Sequence, residues 1–419
     1  MSTAQSKPQI LTIDDLEHHA TLHLPKMVRE YYNGGSMDSY TLQGNVHAYR
    51  QWYIMPRMLR DVSRIDTSAQ VFDRKVTFPC CVAPAAMQKM AHPDGEEATA
   101  RAAGAKGVVM GLSSFSTTSL EVVKKECDEA TAATEGACVL QMYLFENRKV
   151  SEDLISRAEK SGYKAIVLTI DTPYFGRRLT ELRNNFKVPS HLTMANFDAS
   201  LGVKTGSHLR TEERQNSSSD NNTNSLPPPS SKESSRKTTT NPPPNKNDPS
   251  LTWDVIQYLK SITSLKIFVK GVLTASDAQL AVRHGADGII VSNHGGRQLD
   301  CAPPTLEVLP EIVDVVGGRI PVHFDGGIRR GSDIFKALCL GADMCWAGRP
   351  VLWGLAYDGE RGVKMALDIL EEEFRACMAL TGMRSVEEIR QYGRSLLRRV
   401  STTPWDIQLS RQAKVKSSL

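Results

Sequence analysis

Asp287-Gly288-Ile289-Ile290-Val291-Ser292-Asn293-His294-Gly295-Gly296-Arg297 is a short apolar run that stops at a polar, glycine-rich turn. An unbroken apolar run of this length suits a strand covered on both faces, as in a parallel sheet flanked by helices. The turn puts a histidine and an arginine three residues apart where that strand ends. Histidine titrates near neutrality and suits proton abstraction, and arginine offers a planar fork matched to a carboxylate. The pair suggests chemistry on a small acid. Taken alone, a histidine beside a Gly-Gly turn is more often a capped loop residue, and an arginine nearby a surface charge. The position after a parallel strand, where α/β barrels keep their active sites, and two glycines that permit close backbone approach favour the functional reading.

The same strand-then-turn rhythm recurs along the chain. Strands are expected at 80–83, 107–110, 138–142, 165–170, 266–269, 288–291, 321–324 and 344–347. Amphipathic helical patterns such as 94–103, 150–160, 276–284 and 332–340 lie between them, each followed by a glycine-containing turn. Eight such units predict a (β/α)8 TIM barrel rather than a doubly wound sheet. Ala103-Gly104-Ala105, His284-Gly285-Ala286 and Leu340-Gly341-Ala342 each read as a helix end one turn before a strand. Ahead of the barrel, Thr12-Ile13-Asp14-Asp15 has the form of a capping box, and Pro25 to Gly35 reads as a short helix with a proline start and a glycine stop. The expected organisation is an N-terminal helical segment at 1–65, the barrel at 66–401 and a tail at 402–419.

One stretch breaks the rhythm. Across 211–250 the sole aliphatic or aromatic residue is Leu226, amid Ser, Thr, Asn, Lys and two proline triplets, which cannot support a packed core. It reads as a disordered insertion after strand four, where a barrel tolerates a long loop at little cost.

Composition narrows the classes of function. A chain of 419 residues with 40% hydrophobic content can bury a full core. A net charge of only +4, with no basic run, argues against a nucleic-acid partner. No apolar run approaches the length of a membrane span, and residues 1–9 lack the apolar core of a secretory signal. The eight cysteines show neither C-x-x-C pairs nor zinc spacing and read as reduced core residues of an intracellular protein, with no metal expected. The ending Ser417-Ser418-Leu419 differs from the S-K-L peroxisomal address only in its middle residue, so a cytoplasmic or peroxisomal location is expected.

A barrel would gather the polar residues at its strand ends into one mouth. These are Ala83-Pro84-Ala85-Ala86 after strand one, small residues that let a flat ring approach; Ser113 at strand two; Gln141 and Tyr143 at strand three; Thr169 and Asp171 at strand four, with Arg178 beyond; and Lys270 at strand five. Strand seven ends in Asp325-Gly326-Gly327 followed by Arg329, and strand eight in Gly348-Arg349. The last two loops are the usual phosphate site of such barrels, with glycine N–H groups and arginine charge, and they point to a phosphorylated cofactor.

The motifs from Ala83 to Pro93, Leu168-Thr169-Ile170-Asp171-Thr172-Pro173, Val269-Lys270-Gly271-Val272, Ser292 to Asp300 and Asp325 to Gly331 resemble those of the FMN-dependent L-2-hydroxy acid oxidases and dehydrogenases, in the right order over about residues 24–382 apart from the insertion. The resemblance implies that His294 takes the substrate proton, with Asp171 stabilising the imidazolium that forms. It implies that Arg297 and Tyr31 hold the carboxylate and that Tyr143 and Arg178 complete the pocket; Tyr32 adjoins Tyr31, and either could face inward. Lys270 would lie where negative charge gathers as the flavin is reduced, a fixed cation placed for new charge. Ala85, Ala86, Ser113, Gln141, Thr169 and Ser292 would contact the flavin, and Asp325, Gly326, Gly327, Arg329, Gly348 and Arg349 its ribityl phosphate.

The implied activity is oxidation of a 2-hydroxy acid with electrons passed to oxygen, in a homo-oligomer, a tetramer by resemblance. A dehydrogenase of a specialised hydroxy acid or amine, and a catalytically idle flavin scaffold, are the alternatives. Glycolate-oxidising members carry a threonine and a tryptophan where this chain has Ala85 and Phe115, which leaves room for a bulkier substrate.

Overall fold

A computed structural model describes residues 9–131, 137–197 and 246–400. Three helices come first: α1 (Ile13–His23), α2 (Lys26–Asn33) and α3 (Tyr40–His47). The expected capping box starts α1: Asp15 N donates to Thr12 Oγ1 at 3.2 Å, and Thr12 N donates to the Asp15 carboxylate at 2.8 Å. This pairing satisfies two orphan donors of the first turn. Helix α2 begins after Pro25 and ends at Gly34, as its sequence implies.

Eight parallel strands then close on one another: β1 (Cys80–Val82), β2 (Met110–Ser113), β3 (Cys138–Met142), β4 (Ala165–Thr169), β5 (Lys266–Val272), β6 (Gly288–Val291), β7 (Val322–Asp325) and β8 (Met344–Ala347). Their order around the ring is the chain order, with β8 pairing back to β1. Every residue of β3, β4 and β6 is buried, the signature of strands covered on both faces. Helices α4 (Gly95–Lys106), α5 (Leu120–Glu129), α6 (Arg148–Lys160), α7 (Leu179–Arg183), α8 (Val255–Ile262), α9 (Ala275–Arg283), α10 (Thr305–Val316), α11 (Gly331–Cys339) and α12 (Arg349–Thr381) link the strands and jacket the ring, followed by α13 (Val386–Tyr392).

Two expectations about the chain's organisation are corrected. Strand two starts three residues later than expected, because α4 runs through Gly104 to Lys106 and Gly107 takes the left-handed cap (φ +71). Thus Ala103-Gly104-Ala105 lies inside a helix, unlike the turns at Gly285 and Gly341. The second correction concerns the insertion. Its bulk lies outside the described residues, but 246–250 do not belong to a structureless stretch: Asn247 and Asp248 are buried, and Asp248 N donates to Leu144 O at 2.9 Å.

A hairpin before β1, Ala69–Val71 paired with Arg74–Val76, has both turn residues at positive φ (Phe72 +49, Asp73 +61), the mirror-image turn whose twist suits a hairpin. It leads into the start of β1 and so closes the end opposite the strand C-termini. Its Phe72 ring packs on Phe268 (4.9 Å between centroids), His323 (5.7 Å) and Trp346 (6.4 Å). His323 accepts the Trp346 indole N–H at 3.2 Å, and burial pushes its pKa down to about 3, so it stays neutral. All eight cysteines are free; most are buried, while Cys301 is exposed against the expectation of a core residue and Cys377 is half-buried.

Candidate active site

The polar residues expected at the strand ends meet at the C-terminal mouth. Parallel register sets them level: Ser113 pairs with Gln141 across β2 and β3, and Thr169 with Lys270 across β4 and β5. Gln141 Nε2 donates to Thr169 Oγ1 at 3.0 Å, and all three of Ser113, Gln141 and Thr169 are buried. Ala85 and Ala86 are half-buried and present small side chains after β1.

At the centre, His294 Nδ1 lies 2.9 Å from Asp171 Oδ1. The carboxylate selects the tautomer with the proton on Nδ1, which leaves Nε2 as a base. Burial lowers the His294 pKa below its ordinary value despite the attraction of Asp171. Burial raises the Asp171 carboxyl, but His294, its hydrogen bond and Lys270 outweigh that and leave it below the usual carboxylate value. Gly271, at φ +115 in a register shift of β5, is what lets Asp171 in: a Cβ there would stand 2.8 Å from Asp171 Cβ. His294 itself has φ +58, a costly conformation for a residue with a side chain, and is followed by two glycines also at positive φ. Asn293 holds that turn through a reciprocal pair of 2.8 Å bonds with Asn45 of α3, and it accepts Gly296 N at 3.1 Å.

Lys270 Nζ donates to Ser292 Oγ at 2.8 Å and faces Asp325 Oδ2 at 3.0 Å. The second oxygens of Asp325 and Asp171 are buried without a partner. The Arg297 guanidinium lies 4.7 Å from the Tyr31 ring centroid, and Phe186 stacks on that ring at 4.5 Å. The neighbouring Tyr32 is committed elsewhere, its hydroxyl donating to Met87 O at 2.8 Å, so Tyr31 is the tyrosine at the arginine. Arg178 Nε donates to Arg297 O at 3.2 Å, and burial pushes the nearby Tyr143 hydroxyl well above its ordinary pKa.

The loops after β7 and β8 adjoin this mouth. Gly327 has φ +75, and a Cβ there would meet Asn45 O at 2.2 Å, so glycine lets α3 seat against the loop. Gly326 O accepts the Tyr49 hydroxyl at 2.6 Å. At Gly348 a Cβ would find only Ala83 Cβ, 3.6 Å away, so the backbone there is open. Arg329 lies over the Trp353 ring at 4.6 Å. Arg349 donates to the carbonyls of Tyr32, Gly295 and Gly34 at 2.9 to 3.0 Å, a structural engagement its sequence context did not suggest. Burial, with Arg297 and Arg329 close by, pushes the Arg349 pKa down to about 9. This excess of buried positive charge beside open backbone at Gly348, with an unpartnered Asp325 oxygen near Lys270, fits a phosphorylated ligand that also carries donors.

Three contributors were missed in the sequence. Asn45 belongs to a helix remote from the barrel motifs, and nothing local marks it. Gln298 lies inside the Ser292 to Asp300 motif, and its amide donates to Asp171 O at 3.0 Å and Tyr174 O at 2.9 Å, holding the β4 loop. Glu181, buried on α7, reaches both Arg178 and Arg297.

Such a mouth serves an oxidoreductase that holds a phosphorylated flavin, and comparison with known proteins bears this out. The model of the FMN-dependent dehydrogenases matches residues 20–397, and the chain belongs to that family. It is 44% identical to human (Homo sapiens) 2-hydroxyacid oxidase 1 over 382 residues, 91% of this chain and 95% of that protein. It is also 44% identical to spinach (Spinacia oleracea) glycolate oxidase over 381 residues, 91% of this chain and 94% of the relative. Among solved structures, mandelate oxidase with benzoyl-formic acid superposes with a TM-score of 0.77 at 36% identity, covering 94% of this chain and 99% of that one. The cofactor is therefore FMN.

Proposed function

We propose that this enzyme oxidises an L-2-hydroxy acid to the 2-oxo acid and passes the electrons to oxygen, releasing hydrogen peroxide. The observation that carries the reading is the His294 to Asp171 contact at 2.9 Å, set a short way from the arginine that can hold a carboxylate.

In this reading Arg297, with Tyr31, fixes the substrate carboxylate and so turns its Cα–H toward His294. The unprotonated Nε2 of His294 takes the substrate's proton, and Asp171, on the other ring nitrogen, stabilises the imidazolium as it forms. Bound FMN supplies the two-electron acceptor. Lys270 places a buried cation at the mouth, where it stabilises negative charge that appears only as the reaction proceeds. Ser113, Gln141, Thr169 and Ser292 would hold the flavin ring beside Ala85 and Ala86; Asp325, Gly326, Gly327, Arg329, Gly348 and Arg349 would hold its ribityl phosphate. Arg178 and Tyr143 close the pocket.

The wall beyond Tyr143 is aromatic, with Phe115 at 5.5 Å and Phe175 at 6.1 Å from its ring. This supports a substrate with an apolar side chain larger than that of glycolate. Exposed Tyr174 and Leu299, flanking the β4 and β6 loops, support self-association into a homo-oligomer, which light scattering tests. Among the described residues no helix is long and apolar enough to cross a membrane.

The deciding experiment is anaerobic mixing of the purified protein with a panel of 2-hydroxy acids, followed by oxygen. Bleaching of the flavin and stoichiometric peroxide on reoxidation are expected. Bleaching with rapid dye reduction but negligible peroxide would make the protein a dehydrogenase.

A further inference from the structure

Arg178 and Arg297 come from different loops, 119 residues apart, yet one carboxylate oxygen serves both. Glu181 Oε1 lies 3.3 Å from Arg178 Nη1 and 3.4 Å from Arg297 Nη2. All three side chains are largely withdrawn from water: 7% exposed for Arg178, 14% for Arg297 and 3% for Glu181. Two guanidinium groups brought together in such a place repel one another, and the repulsion is poorly screened. A buried carboxylate is equally costly without partners. The triad makes sense as a unit in which each charge justifies the others.

The local fold builds this unit deliberately. Arg178 caps α7, and Glu181 follows one turn later on the same short helix, so their spacing is set by the backbone. Asn184 just beyond α7 donates to Glu30 of α2 at 2.6 Å, which ties the helix to the element that carries Tyr31. Arg297 is thus held between Tyr31 on one side and Glu181 on another. Ordinary anchoring of Arg178 needs only the pair within α7; the reach to Arg297 is what anchoring leaves unexplained.

We propose that Glu181 is a positioning residue for substrate capture: its carboxylate holds the Arg178 and Arg297 guanidinium groups side by side in the geometry that receives a carboxylate. This rests on the reading of Arg297 as the carboxylate holder. In this role Glu181 acts through the two arginines it contacts rather than on the substrate or flavin directly.

The test compares Glu181→Gln, which keeps size and loses charge, with Glu181→Asp, which keeps charge and loses length, both as FMN-loaded enzyme. Stopped-flow reduction by the 2-hydroxy acid that best bleaches the parent protein separates binding from chemistry. In Glu181→Gln the apparent Kd should rise roughly tenfold or more, the worth of a charge-assisted hydrogen bond. The limiting reduction rate should change by less than about threefold, since an interaction used equally in ground and transition states acts on binding alone. Oxalate, titrated against the flavin absorbance, should bind correspondingly weaker, and Glu181→Asp should lie closer to the parent than Glu181→Gln in both measurements.

An unchanged or tighter oxalate Kd in Glu181→Gln overturns the proposal, as does equal loss of Kd and limiting rate. Should Glu181→Gln fail to hold FMN, the Asp variant decides: an oxalate Kd near the parent's supports the role of charge, and a rise of tenfold or more overturns it. If no 2-hydroxy acid bleaches the parent, the substrate reading has failed, and the oxalate titration still judges the clamp.

Discussion

Asn247 donates its side-chain amide to the backbone carbonyl of Thr172 at 2.9 Å, which ties the far end of the low-complexity stretch to the residue next to Asp171. The tie is one of several: Glu146 N donates to Lys246 O at 2.9 Å, and Asp248 forms an ion pair with Arg148. Thr172 in turn donates its hydroxyl to Asp171 Oδ1 at 2.8 Å. The chain re-enters the barrel beside the His294–Asp171 pair, and it does so through residues that look like linker.

Deletion of 216–245 should therefore leave FMN content and melting temperature nearly unchanged, because the segment lacks the apolar side chains to build a core. A deletion extended through Asn247 should lower the melting temperature, since it strips partners from the β3 and β4 loops, and should slow flavin reduction through Asp171. Differential scanning fluorimetry and stopped-flow reduction on the two deletions check this. Equal behaviour of both would mean the anchor does nothing.

His294→Gln should retain FMN and slow anaerobic reduction by roughly 10²–10⁴-fold, the usual worth of a positioned base. The pH profile carries a sign. Burial already lowers the His294 pKa, so the acid limb of kcat/KM should fall below the ordinary imidazole value. Asp171 is the influence that raises it, so Asp171→Asn should move the acid limb to still lower pH while the rate drops. An acid limb that moved upward in Asp171→Asn would remove the dyad from the mechanism.

Arg297→Lys keeps a positive charge but loses the planar fork and its bonds to Tyr31 O and Glu181. The KM for a 2-hydroxy acid should rise sharply, with a smaller effect on the corresponding amide. Kinetics on an acid and amide pair with both forms make the comparison; equal losses would point to displaced flavin instead.

His323 provides a test of the barrel's closed end. Its pKa is about 3 in the fold against an ordinary 6.5, so the unfolded chain binds a proton that the folded one refuses between those values. Stability should fall as pH drops from 6.5 toward 3, at about 1.4 kcal/mol per unit for full linkage, and level off below. His323→Gln retains an acceptor for the Trp346 indole and does not titrate. Its loss of melting temperature on acidification should be shallower than the parent's, and parallel curves would show that other groups govern acid unfolding.

The barrel was legible in the chain because its evidence is local. A strand buried on both faces is mostly apolar, so β3, with Gln141 its one polar residue, β6 and β8 could be bounded to the residue from the sequence pattern. The proposed base, His294, and Arg297 were legible for the same reason, lying three residues apart in the turn that follows one strand end. Strand two slipped because the alanine-rich helix before it continues past Gly104, and only packing decides where such a helix stops. What the tertiary structure alone decided are the relationships between distant loops. The choice of Tyr31 over Tyr32 follows from where a hydroxyl finds a carbonyl, the use of Arg349 from three carbonyls on two other segments, and the Asn45 and Glu181 roles from contacts with no local signature. Hydrogen bonds between buried polar groups depend on distance and direction in space, and a chain records neither until it folds.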